Sequence, residues 1–156
     1  MKDILQTQID LFIELCDDMG VIPFHIKPHG ALYHACNHKR AEMETLIDLI
    51  IERYPKLHLL VFPSGLLHQK ALEVGMQVIP ESFVDRKYTH QLMLQDRSKK
   101  NAVISSSDEA LEQYTFLCNG TVVAEGTKVD LVTETACIHG DNPNVLEILK
   151  SIKQNG

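Results

Sequence analysis

Leu57–Phe62 reads LHLLVF, a nearly unbroken apolar run that begins two residues after Pro55. A strand with one solvated face alternates polar and apolar residues. A continuous apolar run suits a strand buried on both faces, as in parallel sheets. Elements of helical and extended pattern alternate outward from it. Before it, Arg40–Tyr54 carries Met43, Leu46, Ile47, Ile50 and Ile51 on an inner helical side, and Pro55 ends the helix. After it, Ser64 can cap a short helix through Val74 with Gly75 as its stop, and Met76–Ile79 reads as the next strand. Towards the N-terminus, Asp3–Met19 has Ile4, Leu5, Ile9, Phe12, Ile13, Cys16 and Met19 at helical spacing; Gly20 stops it and Val21–Lys27 follows as a short strand.

The second half continues the pattern. A polar loop from Asp85 to about Lys100 precedes a helix over Asp108–Cys118, capped by Ser106 or Ser107. Leu131–Ile138 holds a further strand, and Asn142 caps a last helix with Pro143 in its first turn. The alternation predicts an α/β fold with a mainly parallel sheet, here a single domain over 1–156. A complete β/α barrel takes about 250 residues, and four or so strands fall short of one. The strands are therefore either part of a barrel, with sheet edges that another segment must cover, or a small open doubly wound sheet.

Bulk properties exclude several classes. A net charge of −6 gives no support for nucleic-acid or membrane-surface binding. The one basic cluster, Arg97, Lys99 and Lys100, lies in a polar loop without interleaved aromatics. Cys16, Cys36, Cys118 and Cys137 form no CxxC pair, which argues against a zinc knuckle, and Cys16 and Cys137 sit in apolar runs as small core residues. The N-terminal MKDILQTQIDLF is neither a signal peptide nor a membrane span, so the cytoplasm is the expected location. No GxxxxGK[ST], GxGxxG or GxSxG motif occurs.

Ionisable residues gather at three strand ends, where parallel α/β proteins place their chemistry. The first is HIKPHGALYH, His25–His34. Pro28 ends the strand, Gly30 permits a tight turn, and His25, Lys27 and His29 are expected on one side. The second is IPESFVDRKY, Ile79–Tyr88. There Glu81 and Asp85 alternate onto one side, as a general base or amine ligand, and Arg86 offers a fork for a carboxylate. An ion pair of Arg86 with Asp85 or Glu81 is the plainer alternative. The third is ACIHGDNP, Ala136–Pro143, where His139 and Asp141 stand at a helix N-terminus, Asp141 serving either a site or a cap.

Three motifs, KPHGALY at Lys27–Tyr33, ESFVDRKY at Glu81–Tyr88 and CIHGD at Cys137–Asp141, together resemble the LamB/YcsF family over essentially the whole chain. The resemblance implies a partial, distorted β/α (TIM-like) barrel of the glycoside hydrolase/deacetylase type. It implies the activity of a 5-oxoprolinase subunit: ATP-dependent opening of the 5-oxoproline lactam to glutamate, with subunits B and C as partners and ATP handled with them. Carried over by motif, the site residues are Lys27, His29, Glu81, Asp85, His139 and Asp141 as catalytic groups and Tyr33, Arg86 and Arg97 as substrate-binding ones. Lys27 with His29 would stabilise an oxyanion or a phosphorylated intermediate, Asp85 or Glu81 would act as base, Arg86 would hold the substrate carboxylate, and His139 would be the general acid.

The family's early D-L-N-x-D, C-G-x-H-A-G-D and A-H-P segments are not in this chain, so a missing N-terminal segment or chain is an expected partner. Asp96 stands where the family usually has proline, and Asn101 where it has glycine, which bears on the geometry of the Arg97 loop. Three readings follow. The chain is the later part of such a family member, a non-catalytic remnant that binds partner subunits, or a metal-dependent deacetylase-like amide hydrolase. A divalent metal stays open as a cofactor, though this chain gives it no support.

Overall fold

The structure, a computed structural model, describes residues 1–155. Met1–Ile79 builds one compact unit, and the chain from Pro80 on builds a second. The first contains α1 (Lys2–Asp18), β1 (His25–Ile26), α2 (Gly30–His38), α3 (Arg40–Arg53), β2 (His58–Val61) and α4 (Leu66–Glu73). β3 (Val78–Phe83) leads into the second, followed by α5 (Ser107–Cys118), β4 (Thr121–Ala124), β5 (Thr127–Asp130), β6 (Thr135–Cys137) and α6 (Val145–Asn155).

In the first unit β1 and β2 pair in parallel, His25 opposite His58 and Ile26 opposite Leu59. The apolar run behaves as its composition dictates: Leu59, Leu60 and Val61 of β2 are all buried, and so is Phe62. Met43, Leu46, Ile47, Leu49 and Ile50 of α3 pack with Leu5 of α1, Cys36 of α2 and Leu67 and Ala71 of α4 into one core. Ile51, expected inside, is 43% exposed, and Leu49 is buried instead. At about 100° per residue the buried arc runs from Leu49 through Leu46, Ile50 and Met43 to Ile47, and Ile51 falls just beyond it.

The strand expected over Val21–Lys27 forms only at His25–Ile26, where β2 supplies partners. α2 then begins at once, with His29 as its extended N-cap residue and Gly30 at φ +55. His25, Lys27 and His29 therefore do not share one strand face. α2 itself was hidden by its length and polarity. It buries Cys36 and Asn37, and core packing rather than propensity holds so short a helix. Burial, then Glu42, pushes the Cys36 thiol up to about 11, as suits a core residue. Cys16 is also buried, whereas Cys137 is only half-buried, and no disulfide joins any of the four.

Gly65, not Ser64, caps α4. A Cβ there would lie 1.8 Å from Asn37 Oδ1, so the helix starts where the chain can approach that buried amide.

In the second unit β3 extends past the expected end at Ile79, through Pro80 to Phe83. Pro80 cannot donate, but its carbonyl accepts from Glu134 N at 2.9 Å. β6 lies parallel to β3 with Glu81 opposite Thr135, Ser82 opposite Ala136 and Phe83 opposite Cys137. α5 packs on α6 and on β4. Ser106 caps α5, its Oγ accepting from Glu109 N at 3.4 Å. β4 and β5 form an antiparallel hairpin that the sequence pattern did not announce. Its two-residue turn, Glu125 at φ 47 and Gly126 at φ 87, is left-handed at both positions, as tight hairpins require, and glutamate is an unusual occupant. Among the described residues no helix is long and apolar enough to cross a membrane.

Gly65→Ala should destabilise the protein by about 1–3 kcal/mol, the usual cost of forcing atoms into a packed interior. Urea unfolding should show a lower midpoint with an unchanged slope.

Candidate functional site

The β3–β6 register builds the site. Phe83 lies opposite Cys137, and Val84 N donates to Cys137 O at 2.9 Å. Two residues further along each strand stand Asp85 and His139, so parallel pairing carries both side chains to the same C-terminal edge. His139 Nδ1 lies 2.8 Å from Asp85 Oδ1, and His139 N–H donates to Asp85 Oδ2 at 3.1 Å. Asn142 Nδ2 donates to the same Oδ2 at 3.2 Å and to Ile104 O at 2.8 Å. The Phe83 ring stacks on the imidazole, centroids 5.4 Å apart.

Asp85 is 1% exposed. Burial raises the pKa of its carboxyl, but the hydrogen bonds from the His139 ring and N–H, the His139 charge and the Asn142 amide outweigh burial and hold it below the ordinary 3.8. An ionised carboxylate only accepts, so the proton of the 2.8 Å contact sits on Nδ1 of His139. The lone pair of the neutral ring is then on Nε2, and the side chain retains a quarter of its exposure.

The loop from Arg86 to Val103 leaves and returns beside this pair. Ile104 N donates to Asp85 O at 2.9 Å, Lys87 N to Ala102 O at 2.9 Å and Gln95 N to Lys87 O at 2.9 Å. Arg86 is buried and donates through Nη2 to Gln95 O. Burial, then the nearby Arg97, lowers its pKa from the usual arginine value. Arg97 is half-exposed and pairs with Asp141 at 2.7 Å, and this pairing holds the exposed Asp141 carboxyl below its ordinary value. The two departures from the family pattern fit the loop. Asp96 Oδ1 accepts from Ser98 N at 2.8 Å, making the turn a proline would favour, and Asn101 sits at φ 64, a conformation asparagine tolerates better than most residues.

Of the residues singled out from the sequence, the structure joins Asp85 to His139 and Arg97 to Asp141. Glu81 is buried on β3. Lys27, His29 and Tyr33 belong to the first unit, where Lys27 and Tyr33 are half-buried and His29 is exposed. In the second motif Arg86 turns to its own loop and Asp85 to His139. Asp141 pairs with Arg97, and Asn142 Oδ1 accepts from Asn144 N at 3.1 Å in the turn that leads into α6.

Three supporting residues escaped the sequence reading. Gln113 Nε2 on α5 donates to Phe83 O, Val84 O and Arg86 O at 2.7, 2.9 and 2.8 Å, pinning the chain on either side of Asp85. Tyr88, fully buried, accepts from Phe83 N at 2.7 Å. Asn142 is the third. A signal for Gln113 existed, a lone amide on the apolar stripe of Ala110 and Leu117. Among the described residues, no three histidine, cysteine, aspartate or glutamate side chains are grouped to hold a metal ion.

The LamB/YcsF family model matches residues 1–155. The 5-oxoprolinase A subunit of Neisseria meningitidis serogroup A is 31% identical over 156 residues, covering 99% of this chain and 64% of the relative. Its counterpart in Symbiobacterium thermophilum is 34% identical over 148 residues, covering 94% and 57%. A lactam utilization protein from Thermus thermophilus superposes with a TM-score of 0.80 at 28% identity, covering 89% of this chain and 57% of that one. The chain thus spans between 57% and 64% of the length of these relatives.

The depressed Asp85 carboxyl stabilises the fold above the ordinary value of 3.8, and that contribution is lost as pH falls through the lower folded value. Asp85→Asn should remove this part of the acid-side decline and cost about 1–3 kcal/mol at neutral pH, because an amide cannot accept from all three donors. Denaturant unfolding at a series of pH values measures both.

Proposed function

The chain belongs to the LamB/YcsF family, and we propose that it works as part of an ATP-dependent 5-oxoprolinase, contributing a histidine–aspartate pair to the opening of the 5-oxoproline lactam to glutamate. The observation that carries this reading is the 2.8 Å contact of His139 Nδ1 with the buried Asp85. It supports reading Asp85 as an orienting group, where the sequence offered Asp85 or Glu81 as base, with the basic nitrogen, Nε2, turned to the work.

Lactam opening moves two protons. His139 Nε2 takes one from water as its oxygen attacks the ring carbonyl. It then returns that proton to the ring nitrogen as the C–N bond breaks, and the second water proton, left on the new carboxyl, passes to the amine to give the ammonium carboxylate of glutamate. Arg97 is the guanidinium open to solvent, so recognition of the substrate carboxylate falls to it, with Arg86 bracing the loop beneath. ATP supplies the driving force for the ring opening. The chain has no phosphate-binding loop motif, and nucleotide handling is assigned to subunits B and C. Lys27, His29, Tyr33 and Glu81 are carried as candidates by their motifs.

The rest of the family fold is the further partner in this reading. Met19 is 77% exposed, Ile22 91% and Phe24 61%, beside the short β1 and next to the exposed Phe12 and Leu15 of α1. Such a surface is covered in a working assembly. In this reading the further length of the relatives supplies the cover. The same span gives weight to a second reading, a non-catalytic fragment that only binds partner subunits.

Glutamate release from 5-oxoproline should require ATP, subunits B and C and the remainder of the family fold. His139→Ala should lower it by about 10²–10⁴-fold, the range for loss of a proton-transfer group. No release from the unmodified chain with every component supplied would favour the non-catalytic reading. In sedimentation the chain alone should self-associate, and Ile22→Ser with Phe24→Ser should reduce that association; a monomer without these changes would sink the covered-surface argument.

A further inference from the structure

Asn142 follows the His139–Asp141 turn and precedes α6, where its sequence position marks it as a helix cap. Its side chain does more than that. It is 4% exposed, and all of its polar capacity is directed inward. Oδ1 accepts from Asn144 N at 3.1 Å, while Nδ2 donates to Ile104 O at 2.8 Å and to Asp85 Oδ2 at 3.2 Å. We propose that Asn142 is a positioning residue that tunes the proton affinity of His139 through Asp85, and that it ties the return of the Arg86–Val103 loop to the same carboxylate.

The geometry leaves Asp85 little freedom. Oδ1 receives the imidazole, while Oδ2 receives the His139 N–H and the Asn142 amide. The amide's positive end therefore faces a buried negative charge and withdraws part of it from the imidazole. Without that donor the carboxylate bears more strongly on His139 and favours the imidazolium. The other charged groups near the ring are Asp141, which follows in the same turn, Arg97, which is paired with it, and Arg86, adjacent to Asp85 on the chain. Phe83, stacked on the ring, is uncharged. Ile104 is held twice, by Asp85 O at its N–H and by Asn142 at its carbonyl, so loop and proton carrier share one anchor. The consequence for catalysis rests on the reading of His139 as proton carrier; the electrostatic statement does not.

The test uses the full chain and the His139 ring signals in NMR titrations. Asn142→Ser keeps a hydroxyl able to cap Asn144 N but is too short to reach Asp85, whereas Asn142→Ala removes both contacts. Both variants should raise the His139 titration midpoint relative to the unmodified chain, by about half a unit to one unit. A helix-capping role alone predicts that the serine variant restores stability and leaves the midpoint where it was. A folded serine variant whose midpoint moves by less than about 0.2 unit would overturn the proposal.

The unmodified chain gives a check that needs no variant. One Asn142 Nδ2–H signal should shift as Asp85 takes up a proton at acid pH, and an Asn142 amide indifferent to that titration would also overturn the proposal. A raised midpoint in variants of a chain that never releases glutamate would leave this inference standing and remove the 5-oxoprolinase reading. An unmoved midpoint with glutamate release intact would do the reverse.

Discussion

A carboxylate sealed in the interior has to be met by donors from every side, and the second unit is organised around meeting the one at Asp85. Two hydrogen bonds come from one residue, His139, through its ring and its N–H. A third comes from Asn142. Each donor arrives from chain beyond β6, so the parallel pairing of β3 with β6 must be in register before any of them can form. Shifting that pairing by one residue would turn every side chain to the opposite face and strand the charge. The cost of a buried, unpaired carboxylate thus selects the register as strongly as the apolar contacts do.

The chain around Asp85 shows the same economy. Gln113 satisfies three carbonyls between Phe83 and Arg86 with a single amide nitrogen, and Tyr88 closes back on Phe83 N. A segment that reads as a polar loop is therefore backed by buried groups at its base, while its outer part is latched by the exposed Arg97–Asp141 pair. Exposed ion pairs stabilise little, so the latch can open to a competing carboxylate without disturbing the base. The loop thus has a buried base and an exposed, releasable outer pair.

The first unit is held by different physics. Its core is almost wholly aliphatic, assembled on α3 and β2, and its notable polar contact is the buried Tyr54 hydroxyl donating to Asp10 at 2.6 Å. Burial, then that carboxylate, pushes the tyrosine up to about 12, so the phenol stays neutral. Around this core the chain leaves Met19, Ile22 and Phe24 open to solvent. Nothing in local propensity explains such exposure.

The sequence by itself determined the α/β class, the helices with strong apolar spacing, the doubly buried strand at LHLLVF and the family, because these rest on periodicity and on motifs read within a few residues. It also located Asp85, Arg97, His139 and Asp141 as chemically suspect, since ionisable groups at strand ends stand out in one dimension. It did not reveal α2, whose nine residues depend on packing, nor the β4–β5 hairpin, whose turn uses a glutamate in a left-handed conformation. Only the tertiary structure decided the partnerships. Which carboxylate meets which imidazole is settled across fifty-four residues of chain. The same holds for Asn142 and Gln113, whose side-chain amides look like a cap and a lone polar group on an apolar stripe until burial shows what they hold. Burial and hydrogen-bond partnership are properties of the folded interior, and no local pattern encodes them.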